Sequence, residues 1–225
     1  KGGKYLMAVY KVFPKKDASV YSLFPEMNTG VDQILDIHNL NFNFNPVPAV
    51  GRSLVYFDND NLNSVLSSTV GLPTSVGGAG FTGSWAVDLR LFIATAQGIN
   101  INETVEVLPI VQAWNNGTGT YLDQPLTVNG VSWKYRTPSG SGTVGEWYNA
   151  TDFPVRVTGS YSGSNVAGGA WWTGSSDGTD FTTISQSFAI KTTKDIKIEV
   201  SKIINTWYSS SYAFSGHDSA ISNQG

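Results

Sequence analysis

Two histidines among 225 residues narrow what this chain can do by acid–base or nucleophilic chemistry. His38 ends the alternating run 33–38, and His217 stands beside Asp218 in a Ser- and Gly-rich tail. A Ser–His–Asp triad has to use one of them, and no Gly-x-Ser-x-Gly elbow is present. The absence of cysteine excludes disulfides, thiolate metal sites and thiol nucleophiles. Carboxylates are more plentiful. Asp17, Glu26, Asp32, Asp36, Asp88, Glu103, Glu106, Glu146 and Asp152 are candidates for a paired-carboxylate glycosidase site. No pair stands out by spacing, and Asp36 and Asp88 fall on the polar side of alternating runs. They read as solvated strand faces, so no catalytic residue is assigned.

Metal and phosphate signals are weak. Asp58-Asn59-Asp60-Asn61 resembles the first half of a calcium loop but lacks the glycine and the distal glutamate. A helix N-cap explains it with fewer assumptions. Asp177-Gly178-Thr179-Asp180 is a similar, weaker case. The glycine clusters are not followed by Lys-Ser/Thr and do not join strand to helix, so no phosphate cradle is expected. Neither metal nor cofactor is expected.

Tryptophan offers the best binding chemistry. Seven are present: Trp85, Trp114, Trp133, Trp147, Trp171, Trp172 and Trp207. A flat indole can stack on a sugar face, or it can fill a core. Trp85 and Trp207 carry core periodicity. Trp147, Trp171 and Trp172 are flanked by glycine or loop residues, and these three are the candidate glycan-binding residues. Adjacent residues on a strand point to opposite faces, so at most one of Trp171 and Trp172 enters a core.

The elements that would position these residues are strands. Runs 6–13, 18–21, 33–38, 52–57, 84–94, 103–110, 153–161, 185–191 and 195–200 read as β. Residues 105–114 and 126–136 are further apolar-rich, strand-like runs with Trp114 and Trp133 at strand–loop junctions. In 84–94, Trp85, Val87, Leu89, Leu91 and Ile93 share one face. Short helices are expected over 62–66, capped by Asp58–Asn61, and over 201–207, capped by Ser201 with Ile203, Ile204 and Trp207 on one face. Roughly ten strands and two short helical turns predict an all-β protein, a β-sandwich or jelly roll in a single domain over 1–225. Residues 1–8 form an N-terminal arm.

Composition agrees with a packed β domain. Aromatics are 12% and charged residues only 14%, with 24 glycines and a net charge of −3. Lys191, Lys194, Lys197 and Lys202 are interleaved with Asp195 and Glu199, a solvated edge rather than a nucleic-acid patch. No apolar run approaches the length of a membrane span. The N-terminus is too short and polar for a signal peptide. The sequons at Asn102, Asn116 and Asn149 read as chance in a chain this rich in Asn, Ser and Thr. A cysteine-free β domain of this kind favours a bacterial or viral origin.

Five segments occur in a telling order: Arg52-Ser-Leu-Val-Tyr-Phe-Asp58, Val87-Asp-Leu-Arg-Leu-Phe92, Val105 to Trp114, Val131-Ser-Trp133 and Ile198 to Trp207. Together they resemble the DNRLRE-type, carbohydrate-binding-module-like β-sandwich domain, with Glu199-Val200-Ser201 in place of its Asp-Val-Thr. The segments Tyr10 to Tyr21 and Met27 to Gly30 look closer to a subgroup found in tailed-phage virions. The resemblance implies a non-enzymatic structural or decoration protein of the tail, neck or capsid surface. Its partners would be other virion subunits, with self-association included, and not nucleic acid or membrane. The alternative it implies is a secreted carbohydrate-binding module or host-glycan adhesin. It also implies a closing strand that starts at Asn223-Gln224-Gly225 and continues past 225, and it leaves Met7 as a candidate natural start. No sugar-binding residue is carried over from it.

Overall fold

The small and β-branched residues of two segments make the longest ladder of the computed structural model, which describes residues 9–40, 49–74, 85–96, 102–110, 112–138, 145–147, 157–158, 168–172, 184–189, 195–211 and 222–225. Strand β1 (Lys16–Tyr21) runs antiparallel to β3 (Ala49–Tyr56), from Lys16 opposite Tyr56 to Tyr21 opposite Gly51. The short β2 (His38–Leu40) takes the other edge of β3. Gly51 permits this, because a Cβ there would meet the His38 imidazole at 2.6 Å.

Three two-stranded antiparallel ladders follow. Strand β4 (Asp88–Phe92) pairs with β9 (Asp195–Glu199), β5 (Asn102–Glu106) with β8 (Ser185–Ala189), and β6 (Val157–Thr158) with β7 (Trp171–Trp172). Backbone bonds join them. Val107 N–H donates to the Ile184 carbonyl at 2.9 Å, and Trp172 N–H donates to the Pro109 carbonyl at 3.0 Å. Ile110 bridges Trp171. Helix α1 (Asn59–Ser64) continues as a π-helical stretch, Val65–Val70, and helix α2 (Ser201–Ser211) follows β9. The described chain is therefore all-β, with antiparallel strands and two short helices, as composition and periodicity predict.

One hydrophobic cluster takes residues from nearly every element: Val20, Leu54, Leu66, Ile110, Trp114, Trp172, Ile196, Ile198 and the Ile203, Ile204, Trp207 stripe of α2. Trp85, Val87, Leu89, Leu91 and Ile93 all pack against it from one side, the face assigned from alternation.

Several expectations are corrected. Residues 9–13 form no strand. Val9 and Phe13 are 79% and 76% exposed, so no apolar face is buried to hold them flat. Residues 6–8, and the loop 41–46, lie outside the described residues. Residues 33–37 are also not a strand. Ile34 and Ile37 point to solvent, and ladder pairing starts only at His38. The run 126–136 is loop, although it buries Val131 and Trp133. The first helix starts at Asn59 and runs to Val70, where Gly71 ends it in the left-handed conformation at φ 83°. Asp58 precedes it without a side-chain cap, because its carboxylate takes the Lys15 ammonium at 2.7 Å. Ser201 does not cap α2 either. Its hydroxyl accepts Val87 N–H at 2.8 Å, which ties the helix start to β4. Residues 223–225 lie against the core. Gly225 accepts Ile110 N–H at 2.7 Å, and Trp114 Nε1 donates to the Gln224 carbonyl at 2.9 Å.

The loop segments are fastened by one fully buried carboxamide. Asn28 Nδ2 donates to the carbonyls of Asn116 (2.6 Å) and Val131 (2.9 Å), and its Oδ1 accepts Gly119 N–H at 2.8 Å. Asn116 Nδ2 returns a bond to the Gly30 carbonyl. Gly117, at φ 80°, lies so close that any Cβ would overlap the Asn28 side chain. Asn28→Ala strands two carbonyls and an amide in a buried site. It is expected to cost at least about 3 kcal/mol, at 1–3 kcal/mol per unsatisfied group, read as a lower urea midpoint. Gly117→Ala is expected to destabilise in the same direction through both clash and backbone strain.

Candidate functional site: a tyrosine and aspartate cleft

The knot around Asn28 brings together two segments about ninety residues apart in sequence. Residues 22–37 connect β1 to β2, and residues 115–131 form a long loop. Val31 N–H donates to the Gly119 carbonyl at 3.1 Å, and Tyr121 N–H donates to Asp32 Oδ1 at 3.1 Å. Between them lies a shallow cleft of about 370 Å³ lined by Tyr21, Asp32, Gln33, Ile34, Asp36 and Tyr121.

Each lining residue has a reason for its place. Tyr21 is the last residue of β1 and is 5% exposed. Its ring meets that of Tyr121 edge-on, with centroids 5.1 Å apart and planes at 62°. Phe24 backs Tyr121 at 6.0 Å, and the His38 ring lies 5.8 Å from Tyr21. The Asp36 backbone is held from both sides: its N–H donates to Ser19 Oγ at 2.8 Å, and its carbonyl accepts Ser53 Oγ–H at 3.1 Å. Its carboxylate is left half-exposed, 3.1 Å from His38 Nδ1. Ile34 is the apolar member of the lining, and Val31, Ile37 and Leu122 are exposed on the same two segments.

Burial pushes the Tyr21 phenol up to about 12, opposed by its hydrogen bond with Ser19 and helped by smaller contributions from Asp36 and Asp32. The cleft thus presents neutral aromatic walls and carboxylate oxygens with no built nucleophile. It suits a cationic or hydroxyl-bearing group inserted between apolar neighbours.

The tryptophans behave differently from expectation. Trp147 and Trp172 are 2% and 0% exposed, so neither can stack on a ligand. Trp147 is fixed by its indole N–H, which donates to the Ser132 carbonyl at 3.1 Å. Strand alternation explains the adjacent pair: Trp172 faces the core, and Trp171 is half-buried on the other side. Trp171 is taken up by Arg52, whose guanidinium lies 5.7 Å from its ring and 4.9 Å from the buried Trp133. Arg52 Nη1 also donates to the Gly168 carbonyl at 3.2 Å. Lys16 sits 4.2 Å over Trp114 in the same way. The three candidate residues Trp147, Trp171 and Trp172 therefore form no exposed groove.

Of the carboxylates, Asp32 and Asp36 converge on the cleft. Asp88 pairs with Lys197 at 3.0 Å, and Glu26 with Lys134 at 3.5 Å. His217, Asp152 and the Asp177–Asp180 stretch lie outside the described residues. Among the described residues, no group of three or more His, Asp or Glu could hold a metal ion, and no helix is long and apolar enough to cross a membrane. Sequence reasoning missed Tyr21 and Tyr121. The available signal was the pair of Asn/Gly-rich stretches, 28–30 and 115–119, each beside one of the loops that build the cleft.

No family model matches the chain, and no curated protein or solved structure matches it.

Two outcomes are expected. Trp147→Ala and Trp172→Ala should each lose about 3–5 kcal/mol of stability, the usual cost of emptying a buried aromatic site, whereas Trp171→Ala should lose clearly less; chemical denaturation of the three variants checks this. A raised phenol contributes stability that is complete below its ordinary value of 10.0 and is lost as pH climbs toward about 12. Urea midpoints followed through that window should fall less steeply in Tyr21→Phe than in the parent.

Proposed function

We propose that this chain is a non-enzymatic structural or decoration protein of a tailed-phage virion, built as a β-sandwich and acting through protein–protein contacts. The observation that carries the contact reading is the concentration of large exposed apolar side chains on two mutually bonded loops. Leu23, Val31, Ile34 and Ile37 lie on one of them, and Tyr121, Leu122 and Leu126 on the other. Apolar side chains gathered in this way are characteristic of interaction sites rather than of idle surface. The burial of Trp147 and Trp172 removes the main support for a tryptophan-based glycan site. The virion assignment itself rests on the segments Tyr10 to Tyr21 and Met27 to Gly30, which look closer to the phage subgroup.

A second reading is favoured by the Tyr121, Asp32 and Gln33 lining of the cleft, since an aromatic wall beside hydrogen-bonding groups can take a sugar. An antibody to the purified chain, applied to phage particles from the culture that carries its gene, tests the first reading. Regular labelling of tailed particles is the expected result. Label confined to the secreted fraction, together with saturable binding on a glycan array, would replace the virion role by an adhesin role.

A further inference from the structure

The two ends of β1 carry complementary surfaces. Before β1, residues 9–14 leave the body as an exposed arm, Val9-Tyr-Lys-Val-Phe-Pro14. When drawn out along a partner, Val9, Lys11 and Phe13 would share one side, an apolar, basic, apolar row. After β1, the cleft offers the inverse chemistry: Ile34, 63% exposed, lines it together with the carboxylates of Asp32 and Asp36, and Ile37, 52% exposed, follows Asp36 in the chain. Lys11 enters no ion pair with a described residue, and the arm contains no acidic residue.

The arm does not reach its own cleft. Lys15 N–H donates to the Tyr56 carbonyl at 2.8 Å, so the chain is still on the line of β1 when it leaves the sheet. The six residues of β1 separate that exit from Tyr21 by about 17 Å. Turned back at Pro14 and fully extended, the three residues from Pro14 to Lys11 span only about 10 Å, so Lys11 stops short of the carboxylates beyond Tyr21.

We propose that the arm of one copy docks in the Tyr21–Tyr121 cleft of a second copy, with Lys11 between Asp32 and Asp36 and with Val9 and Phe13 on Ile34 and Ile37. Such a contact uses two different patches, so it is head-to-tail and propagates into a ring or filament. This rests on the protein-contact reading above and names its partner as the chain itself.

The test uses the full chain and light scattering coupled to gel filtration. The parent is expected to self-associate with rising concentration. A dead-arm variant, Lys11→Glu with Phe13→Asp, and a dead-cleft variant, Ile34→Asp with Asp36→Lys, should each lose at least about tenfold in association constant. All four positions are exposed, and circular dichroism melts verify that each variant folds. Mixed together, the two variants should form a one-to-one dimer that stops there, since one supplies the only live cleft and the other the only live arm. A parent that stays monomeric, variants that still assemble alone, or a mixture that fails to pair would each overturn the proposal. Particles labelled by the antibody while the parent stays monomeric would leave the virion reading standing without this contact.

Discussion

A single buried carboxamide holds the functional end of this molecule together. Asn28 is enclosed on all sides, and the carbonyls and amides it contacts come from residues 116, 119 and 131. A buried polar group of this kind is costly when unpaired and specific when paired. It leaves the loop 115–131 one arrangement against the β1–β2 connection. Glycine serves the same requirement. Gly30, Gly117, Gly119 and Gly130 surround Asn28 and Asn116 so tightly that no side chain fits at any of them. The cleft, its tyrosine pair and its carboxylates are consequences of this knot.

Cations set on indoles stabilise the body of the fold. Lys16 lies over Trp114 and donates to that residue's own carbonyl, and Arg52 lies against Trp133 and Trp171. Burial lowers the proton affinity of both groups, and ring faces together with backbone carbonyls offset part of that desolvation. This use of tryptophan explains why so many of them contribute so little exposed surface. In a chain with only 14% charged residues, these cations are part of the interior design.

The chain has an aromatic body, with exposed apolar residues before β1 and a cleft after it. The head-to-tail pairing proposed for these two regions would use two different patches of the same chain. A glycan role would draw on the same cleft through Tyr121, Asp32 and Gln33, but not through the tryptophans.

Much of the scaffold was legible because strand period and burial coincide. The alternation of Trp85 to Ile93, the 185–189 and 195–199 strands and the Ile203, Ile204, Trp207 stripe follow from local pattern alone. Where local pattern and burial part company, sequence reading misplaced elements: 9–13, 33–37 and 126–136 have strand-like composition but, among the described residues, complete no ladder. The tryptophans were misjudged for a related reason. Flanking glycines suggest a loop, yet Gly168 and Gly169 are there because bulky rings press on their backbone. The sequence by itself determined the all-β class, the lack of thiol chemistry, the scarcity of histidine and the opposed faces of Trp171 and Trp172. Only the tertiary structure decided which of that pair is buried and that Tyr21 and Tyr121 meet across a hundred residues. It also decided that Asp32 and Asp36, among many carboxylates, share a cleft. Such long-range pairings are selected by packing and by the satisfaction of buried hydrogen bonds, and neither has a period in the chain.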